Sequence, residues 1–546
     1  MSNWAEVKRD AFRLRATCPD ADALRGVVDK LVDDRVASRI RAQDPTLWGP
    51  EAEAEAGKRL DWVSLAEASR PLVAEISALC DEVRARGLTR VVLCGMGGSS
   101  LAPEVICRTA DLPLEVLDSS SPDVVRRALG TDLEQTVVVV SSKSGGTVET
   151  DSQKRAYEKA FRDAGLDPAE HMVVVTDPGS PLDRAATEAG YRVFRAAPDV
   201  GGRYSALTAF GLVPSGLAGA DLQGLLDEAA AIGAALAEDS PDNPGLRLGG
   251  LLGLAAGAGV DKLVLANSGA SYDGFGDWAE QLVAESTGKD GRGILPVVVE
   301  GPDAPGFTPS TSDSLLAAFG PGFPFEVVTP ASSYAVSVEA RLGAQLLLWE
   351  YATAIAGRVI GINPFDQPDV ESAKAAAREM LDGAGSPPEP VFTDGAVTIF
   401  ASPGWLPEGT RTAADAVAAL LGRVDPALGY LAVQAYLDRE RDAVLADARP
   451  TLSRRIGRPV TFGWGPRFLH STGQYHKGGP ATGCFLQVTT GPGEDLPVPD
   501  RPFTFQEFLL AQAVGDGQVL ADTGCPVLRL HIDSPLGLDA LVRDLT

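Results

Sequence analysis

Two stretches, VVLCGMGGSSLAP at residues 91–103 and TVVVVSSKSGGTVET at residues 136–150, constrain the fold more than any other feature. Each is a run of apolar, mostly β-branched residues that breaks into a Gly/Ser/Thr loop and then opens a helix-like segment. In a parallel α/β sheet this break falls at the carboxyl end of a strand, where ligands bind. Two such loops in one sheet predict a socket for a single phosphate group.

The loops carry the residue types that an oxyanion needs. Glycine lets backbone N–H groups approach an anion, and the start of the following helix adds a partial positive charge. Neither loop has the spacing of a nucleotide-binding motif, and glycine-rich loops also follow strands in many α/β proteins. The predicted phosphate ligands are Gly98, Ser99, Ser142, Lys143, Ser144 and Thr147.

The alternation of strand-like and helix-like segments predicts an α/β fold with two doubly wound parallel sheets. Helical spacing predicts an N-terminal helical segment over residues 1–85. The alternating regions are residues 86–244, which include a connector helix, and residues 245–385. A linker of composition GSPPEP then leads to a C-terminal α/β domain at residues 391–546.

Composition narrows the function classes. The 546 residues carry 48 Lys and Arg against 74 Asp and Glu, a net charge of −26, which argues against nucleic acid or an anionic membrane as partner. The six cysteines form no C-x-x-C pair, and the N-terminus is charged without an apolar core. These features predict a cytoplasmic protein without a signal peptide or a membrane span.

Three motifs resemble those of the phosphoglucose isomerase family. DVGGRYSALTAFG at residues 199–211 resembles the first family signature, and FDQPDVESAK at residues 365–374 resembles the second, with Asp369 where the signature has glycine. AESTGKDGRG at residues 284–293 is similar to the segment that holds the catalytic glutamate. The resemblance implies two sugar-isomerase domains. It also implies reversible isomerisation of glucose 6-phosphate and fructose 6-phosphate, without metal or cofactor.

The resemblance also implies roles for single residues. Glu285 matches the base that moves a proton between C2 and C1, Arg203 the arginine that faces the reacting carbons, and Lys374 the lysine that assists ring opening. Gln281 and Gln367 match substrate-binding glutamines, Gln367 beside the phosphate. The chemistry agrees, because a carboxylate suits proton transfer and an arginine stays protonated beside an enediolate. Gln281 and Glu285 lie one helical turn apart and can face one cleft.

The histidine that this family uses for ring opening is missing between residues 285 and 365. The stretch GPRFLHSTGQYHKGGP at residues 465–480 contains LHSTGQ, which resembles the family's histidine segment. The region is similar to the C-terminal part of the isomerase half of transaldolase–isomerase fusions. We therefore expect His470 to enter the cleft from the C-terminal domain, with His476 as a weaker candidate. The alternative is a loop that only packs two domains together.

Supply of the histidine within one chain would allow a monomer to work, and monomer and homodimer both stay open. The expected partner is a hexose 6-phosphate. Two other functions remain: a dual glucose/mannose 6-phosphate isomerase, and a non-catalytic sugar-phosphate-binding regulator. The regulator would keep the phosphate loops and lose the base, so the presence of Glu285 favours an enzyme.

Overall fold

Three β-sheets organise the chain in a computed structural model that describes residues 5–130, 132–322, 334–381, 388–491, 493–533, 538 and 541, without the side chains of residues 373 and 374. The strands, in chain order, are β1 (Ala5–Arg9), β2 (Phe12–Thr17), β3 (Arg90–Gly95), β4 (Glu115–Leu117), β5 (Thr136–Ser141), β6 (Met172–Thr176), β7 (Arg192–Arg195), β8 (Lys262–Asn267), β9 (Leu295–Val299), β10 (Ser314–Phe319), β11 (Ala335–Ala340), β12 (Phe392–Asp394), β13 (Val397–Ala401), β14 (Tyr430–Tyr436), β15 (Val460–Trp464), β16 (Gly483–Thr490) and β17 (Val527–Ile532).

The α-helices cover the sheets and connect them. They are α1 (Ala21–Asp33), α2 (Val36–Arg41), α3 (Pro50–Ala56), α4 (Leu65–Ala68), α5 (Arg70–Ala85), α6 (Leu101–Thr109), α7 (Pro122–Leu129), α8 (Val148–Asp163), α9 (Pro168–His171), α10 (Pro181–Glu188), α11 (Ala209–Ala218), α12 (Leu222–Leu236), α13 (Pro244–Gly257), α14 (Phe275–Thr287), α15 (Leu342–Ile360), α16 (Val370–Leu381), α17 (Ala413–Leu421), α18 (Ala448–Ile456), α19 (Gly473–Gly478) and α20 (Phe505–Asp522).

The first sheet is parallel, with strand order β4-β3-β5-β6-β7. The central strand β5 has the sequence TVVVVS and is buried at every position, as expected for a strand covered by helices on both faces. Strand order reverses between β3 and β5. The two loops singled out in the sequence therefore follow neighbouring strands at the switch point of the sheet, where doubly wound folds bind ligands. The predicted fold class is confirmed.

The second sheet has the order β1-β2-β11-β10-β8-β9, with β8 to β11 parallel. Its far edge is a hairpin of residues 5–17, where a helical segment was predicted; helices begin only at Ala21. The alternation FRLRAT buries Phe12, Leu14 and Ala16 on one face, which explains a strand there. Antiparallel pairing of β2 with β11 then attaches the hairpin to the sheet.

The third sheet repeats the connectivity of the second. Its order is β12-β13-β17-β16-β14-β15, with β14 to β17 parallel and an antiparallel hairpin at the same edge. We name the parts built on the three sheets the first, second and third domains. The sequence indicated that the first two regions are alike, whereas it is the second and third sheets that share one strand order.

The third domain packs on both of the others. One buried cluster joins Val264 and Leu295 of the second domain to Tyr430, Tyr475 and Phe485 of the third. Another joins the first sheet to Val498 and Phe505. Among the described residues, no helix is both apolar enough and long enough to cross a membrane.

Candidate active site

The first strand-end loop follows β3 and is a 3-10 turn at Gly97–Ser99. A Cβ on Gly98 would lie 2.0 Å from the carbonyl oxygen of Gly202, so only glycine allows this turn to touch the turn that carries Arg203. Gly97 has a φ of +55°, and a Cβ there would lie 2.7 Å from Gln281 Nε2 and 2.8 Å from the His470 carbonyl oxygen. Segments of all three domains therefore meet at this loop.

The second strand-end loop follows β5 and is held open by its own hydroxyl groups. Ser142 Oγ accepts a hydrogen bond from the Gly145 N–H (3.1 Å) and lies 3.4 Å from Thr147 Oγ1. Ser144 Oγ accepts from the Gly146 N–H at 3.1 Å. Thr147 precedes α8, so the loop ends at a helix N-terminus. The half-buried Ser99 lies on the neighbouring loop.

Lys143 of the same loop directs its ammonium elsewhere. Its Nζ lies 2.7 Å from Asp177 Oδ2 and donates to the Pro198 carbonyl oxygen at 2.9 Å. Burial lowers the pKa of Lys143 and raises the pKa of Asp177. In this structure the Lys143 charge is compensated within the first domain.

Glu285 lies on α14, and its side chain is 12% exposed. Gln281, one turn earlier, donates from Nε2 to Glu285 Oε1 (3.2 Å) and to the His470 carbonyl oxygen (2.8 Å). One amide thus connects the proposed base to the histidine segment of the third domain. The two side chains, one helical turn apart, therefore contact each other on one face of α14.

Arg203 is buried behind Glu285 and uses all five of its N–H groups. Its NH1 donates to Gln367 Oε1 (2.7 Å) and lies 3.4 Å from Glu285 Oε2. The other groups donate to Ser286 Oγ, at 2.8 Å, and to two carbonyl oxygens of the loop that precedes Gln367. Arg203 therefore supplies a fixed positive charge beside the carboxylate, and Gln367 contacts Arg203.

His470 lies where the third domain meets the first. Its Nε2 is 2.9 Å from Glu149 Oε1, and Gln512 of α20 donates to the same oxygen from Nε2 at 2.7 Å. Sequence reasoning missed Glu149, although it stands two residues after Thr147 in the quoted loop. Acidic residues are common in the first turn of a helix, where they interact favourably with the helix dipole, so the position of Glu149 did not indicate a functional role.

A cavity of about 250 Å³ lies beside Glu149 and His470. Its described lining residues do not include Arg203, Gln281 or Glu285. The second strand-end loop and the start of α8 form one wall, α16 a second, and the third domain the remainder. Residues that line it include Ser144, Thr147, Glu149, His470, Lys477 and Gln512. Lys477 is buried and pairs with Asp516. Lys374 lies in α16, and its side chain falls outside the described residues.

His476 is a core residue. Its Nδ1 lies 2.9 Å from the Tyr430 hydroxyl oxygen, and its ring stacks on that of Tyr430. Burial lowers the pKa of His476 to about 3, so the ring stays neutral at physiological pH. The weaker of the two candidate histidines thus lies between the second and third domains.

Lys289 is a second residue that sequence reasoning missed. It is 2% exposed, and its Nζ donates to the carbonyl oxygens of Asn363 (2.7 Å) and Asp366 (2.6 Å) and to the Asp366 carboxylate. Burial lowers its pKa to about 8. Lys289 therefore fixes the loop that holds Arg203. Its place in the GKDGRG stretch was visible, but its partners lie over seventy residues away.

Buried ion pairs hold the third domain in place. Arg467 pairs with Glu104 and with Asp118 (2.8 Å) of the first domain, and its side chain is 11% exposed. Arg458 pairs with Asp313 of the second domain, with NH1 3.0 Å from Oδ1. Arginine is suited to such sites because its planar guanidinium group donates two parallel hydrogen bonds to one carboxylate. These ion pairs fix the third domain, which carries His470, against the first and second domains.

Comparison with known proteins places this site in a family. The family profile for phosphoglucose isomerase matches residues 70–290. The glucose-6-phosphate isomerase of Cyanothece sp. (strain PCC 7425) is 30% identical over 392 residues, 59% of this chain and 72% of that protein. The chain belongs to the phosphoglucose isomerase family. A probable glucose-6-phosphate isomerase of Haloarcula marismortui is 36% identical over 210 residues, 38% of this chain and 48% of the relative.

A solved structure supports the fold. A glucose-6-phosphate isomerase from Chlamydia trachomatis superposes with a TM-score of 0.56 at 22% identity, over 70% of this chain and 91% of that one. The chain spans about half of the Haloarcula relative and about two thirds of a relative from Desulfitobacterium hafniense. The family match at residues 70–290 contains both strand-end loops, Arg203 and Glu285, and ends before the third domain.

Proposed function

We propose that the chain catalyses the reversible isomerisation of glucose 6-phosphate and fructose 6-phosphate. The observation that carries this proposal is the position of Gln281, whose amide joins the Glu285 carboxylate to the His470 segment. A base for carbon and a group for ring opening then lie beside the two loops that would hold a phosphate. Membership in the phosphoglucose isomerase family supports the same conclusion.

Ring opening is assigned to His470. A carboxylate only accepts, so Glu149 favours the tautomer with hydrogen on Nε2, and Nδ1 exchanges the proton with the sugar. Nδ1 takes the proton of the C1 hydroxyl and delivers it to O5 as the C1–O5 bond breaks, and O1 becomes the aldehyde oxygen. By resemblance to the family, Lys374 assists this step.

Proton transfer is assigned to Glu285. Its carboxylate takes the proton from C2, and the electron pair forms the C1=C2 bond of an enediolate with the charge on O1. Arg203 lies beside Glu285 and stabilises the negative charge in a buried setting. The proton of the C2 hydroxyl then passes to O1, Glu285 returns its proton to C1, and O2 becomes the ketone oxygen.

Two buried acceptors suit a polyhydroxylated substrate. Gln281 Oε1 and Gln512 Oε1 have no hydrogen-bond partner among the described residues. Buried amide oxygens are normally bonded, and sugar hydroxyl groups are donors of the right kind. The phosphate group is assigned to the backbone of Gly98 and to the hydroxyls of the strand-end loops, which are Ser99, Ser142, Ser144 and Thr147.

A coupled assay tests the proposal. Fructose 6-phosphate should be converted to glucose 6-phosphate, and Glu285→Gln should lower kcat by at least about 100-fold. Glu188→Gln, at an exposed position of α10, is the matched control and should retain full activity. Binding of fructose 6-phosphate without turnover by the wild-type protein would reject the enzyme and favour the regulator. Turnover of mannose 6-phosphate at a similar rate would establish the dual isomerase.

A further inference from the structure

A second cavity, of about 420 Å³, lies in the third domain between the sheet and the pair of helices α16 and α20. Its walls are largely apolar, and the residues that line it include Met380, Phe400, Phe503, Leu510 and Val514. The polar groups are few: Arg529 and His531, which are two residues apart on β17 and so face the same side of the sheet, and Glu507.

Arg529 is the unusual member of this cavity. It is only 8% exposed, and its guanidinium lies 4.3 Å from the centre of the Phe400 ring, on the neighbouring strand. Among the described residues, no carboxylate, carbonyl or amide oxygen accepts a hydrogen bond from its side chain. Burial lowers its pKa to about 10. Buried arginines are normally paired, since an uncompensated charge is costly.

The two acidic residues of α20 that lie within its middle and first turn, Asp516 and Glu507, are bonded elsewhere. Asp516 of the facing helix pairs with Lys477, which lines the candidate active site. Glu507 accepts the Thr504 N–H in the capping box at the start of α20. Among the residues that the structure describes, Arg529 therefore has no carboxylate partner, and it borders an apolar space large enough for a small metabolite.

We propose that this cavity is a binding site for a small organic anion, with a phosphate or carboxylate group on Arg529 and an apolar body against Phe400, Phe503 and Leu510. A guanidinium whose carbon lies 4.3 Å from the centre of an aromatic ring keeps N–H groups for paired hydrogen bonds to an oxyanion. The site is separate from the candidate active site, but α16 and α20 line both cavities. A ligand here contacts the helices that also form the substrate cavity.

The test uses the full chain with fructose 6-phosphate at saturation, so that the candidate active site is occupied. Isothermal titration calorimetry measures the binding of four compounds to the protein: phenyl phosphate, benzoate, benzyl alcohol and benzylamine. One equivalent of phenyl phosphate or benzoate should bind at least about tenfold more tightly than the neutral or cationic compound, because a charge-assisted hydrogen bond contributes that much. The relative affinities of the two anions identify the preferred head group.

Two variants locate the binding. Arg529→Gln should weaken binding of the anion at least about tenfold, whereas Arg411→Gln, at an exposed arginine of the same domain, should leave it unchanged. Leu510→Trp, at a half-buried position on the cavity wall, should abolish binding and retain isomerase activity. Equal binding of benzyl alcohol and phenyl phosphate, binding unaffected by both variants, or no binding at millimolar concentration would each overturn the proposal. The charge series on the wild-type protein decides the matter if Arg529→Gln does not fold.

Discussion

Gly97 and His470 touch through their backbones. A Cβ on residue 97 would lie 2.8 Å from the His470 carbonyl oxygen, although the two residues belong to the first and third domains. The same missing side chain leaves room for Gln281 Nε2, which donates to that carbonyl oxygen. The contact between Gln281 and the His470 backbone thus depends on a position without a side chain.

Substitution of this glycine should be costly. Gly97→Ala combines a positive φ with two contacts below 3 Å, so we expect lower stability by about 1–3 kcal/mol and a loss of isomerase activity. Gly395→Ala is the matched control, because Gly395 has a φ of +57° and nothing within 4 Å of an added Cβ. Thermal unfolding and the coupled assay measure both. Similar effects of the two changes would show that backbone strain alone matters.

Loss of the His470 imidazole should affect the cyclic substrate selectively. His470→Ala should slow turnover of fructose 6-phosphate at least about 100-fold, because the acid–base group for ring opening is lost. The analogue 5-deoxyfructose 6-phosphate cannot close a furanose ring, and its turnover should fall less than about tenfold. Glu149→Gln should give the same pattern in weaker form. NMR spectroscopy measures the turnover of both substrates. Equal losses of turnover on the two substrates would reject the ring-opening role of His470.

If His470 and Glu285 of one site belong to the same chain, two inactive variants should not complement each other. Coexpressed Glu285→Gln and His470→Ala chains should recover no activity, because each chain then carries an incomplete site. The mixture is purified through two different affinity tags, and activity is compared with that of each variant alone. Activity well above either variant would mean that the histidine crosses between subunits.

The Arg467 ion pairs should be worth far more than exposed ones. Arg467→Met leaves Asp118 buried with Arg439 at 3.8 Å, while Glu104 keeps its pairs with Arg108 and Arg439. We expect a loss of about 2–3 kcal/mol in unfolding free energy. Arg501→Met removes a pair between half-exposed side chains, with Asp151, and should cost at most about 1 kcal/mol. Denaturant unfolding compares them. An equal, small loss would contradict the role given to Arg467 in holding the third domain.

His476 should make the protein sensitive to acid. Its pKa is lowered to about 3 in the folded state from an ordinary value of 6.5, so below pH 6.5 the unfolded chain takes up a proton that the folded chain does not. Stability therefore falls as pH falls, by up to about 1.4 kcal/mol per unit for this group. The difference in unfolding free energy between wild type and His476→Asn should shrink from pH 7 to pH 5. Parallel curves would contradict the lowered pKa.

Local sequence patterns predicted the structural features that are determined by residues close together in the chain. The strand at residues 136–141 and the helical turn between Gln281 and Glu285 follow from short-range periodicity. The histidine segment was found from a six-residue resemblance alone. Its partner Glu149 was not, because the contact joins residues more than three hundred positions apart.

Errors arose where tertiary pairing overrode a local pattern. A helical segment was predicted over residues 1–85, yet residues 5–17 form a hairpin whose second strand pairs with β11. The alternating pattern of β2 identifies a strand only when its partner β11, more than three hundred residues later, is known. The pairing of Lys143 with Asp177 was not visible in the local sequence either, because it depends on the neighbouring strand end.

The pairing of β2 with β11 also sets an order of assembly. The hairpin is synthesised before the first domain, but the strand that pairs with its second strand follows more than three hundred residues later. In a nascent chain that stops before residue 335, every strand of the first sheet has been synthesised, while β2 still lacks its neighbour. The first domain is therefore an insertion that can fold before the second sheet closes around its ends.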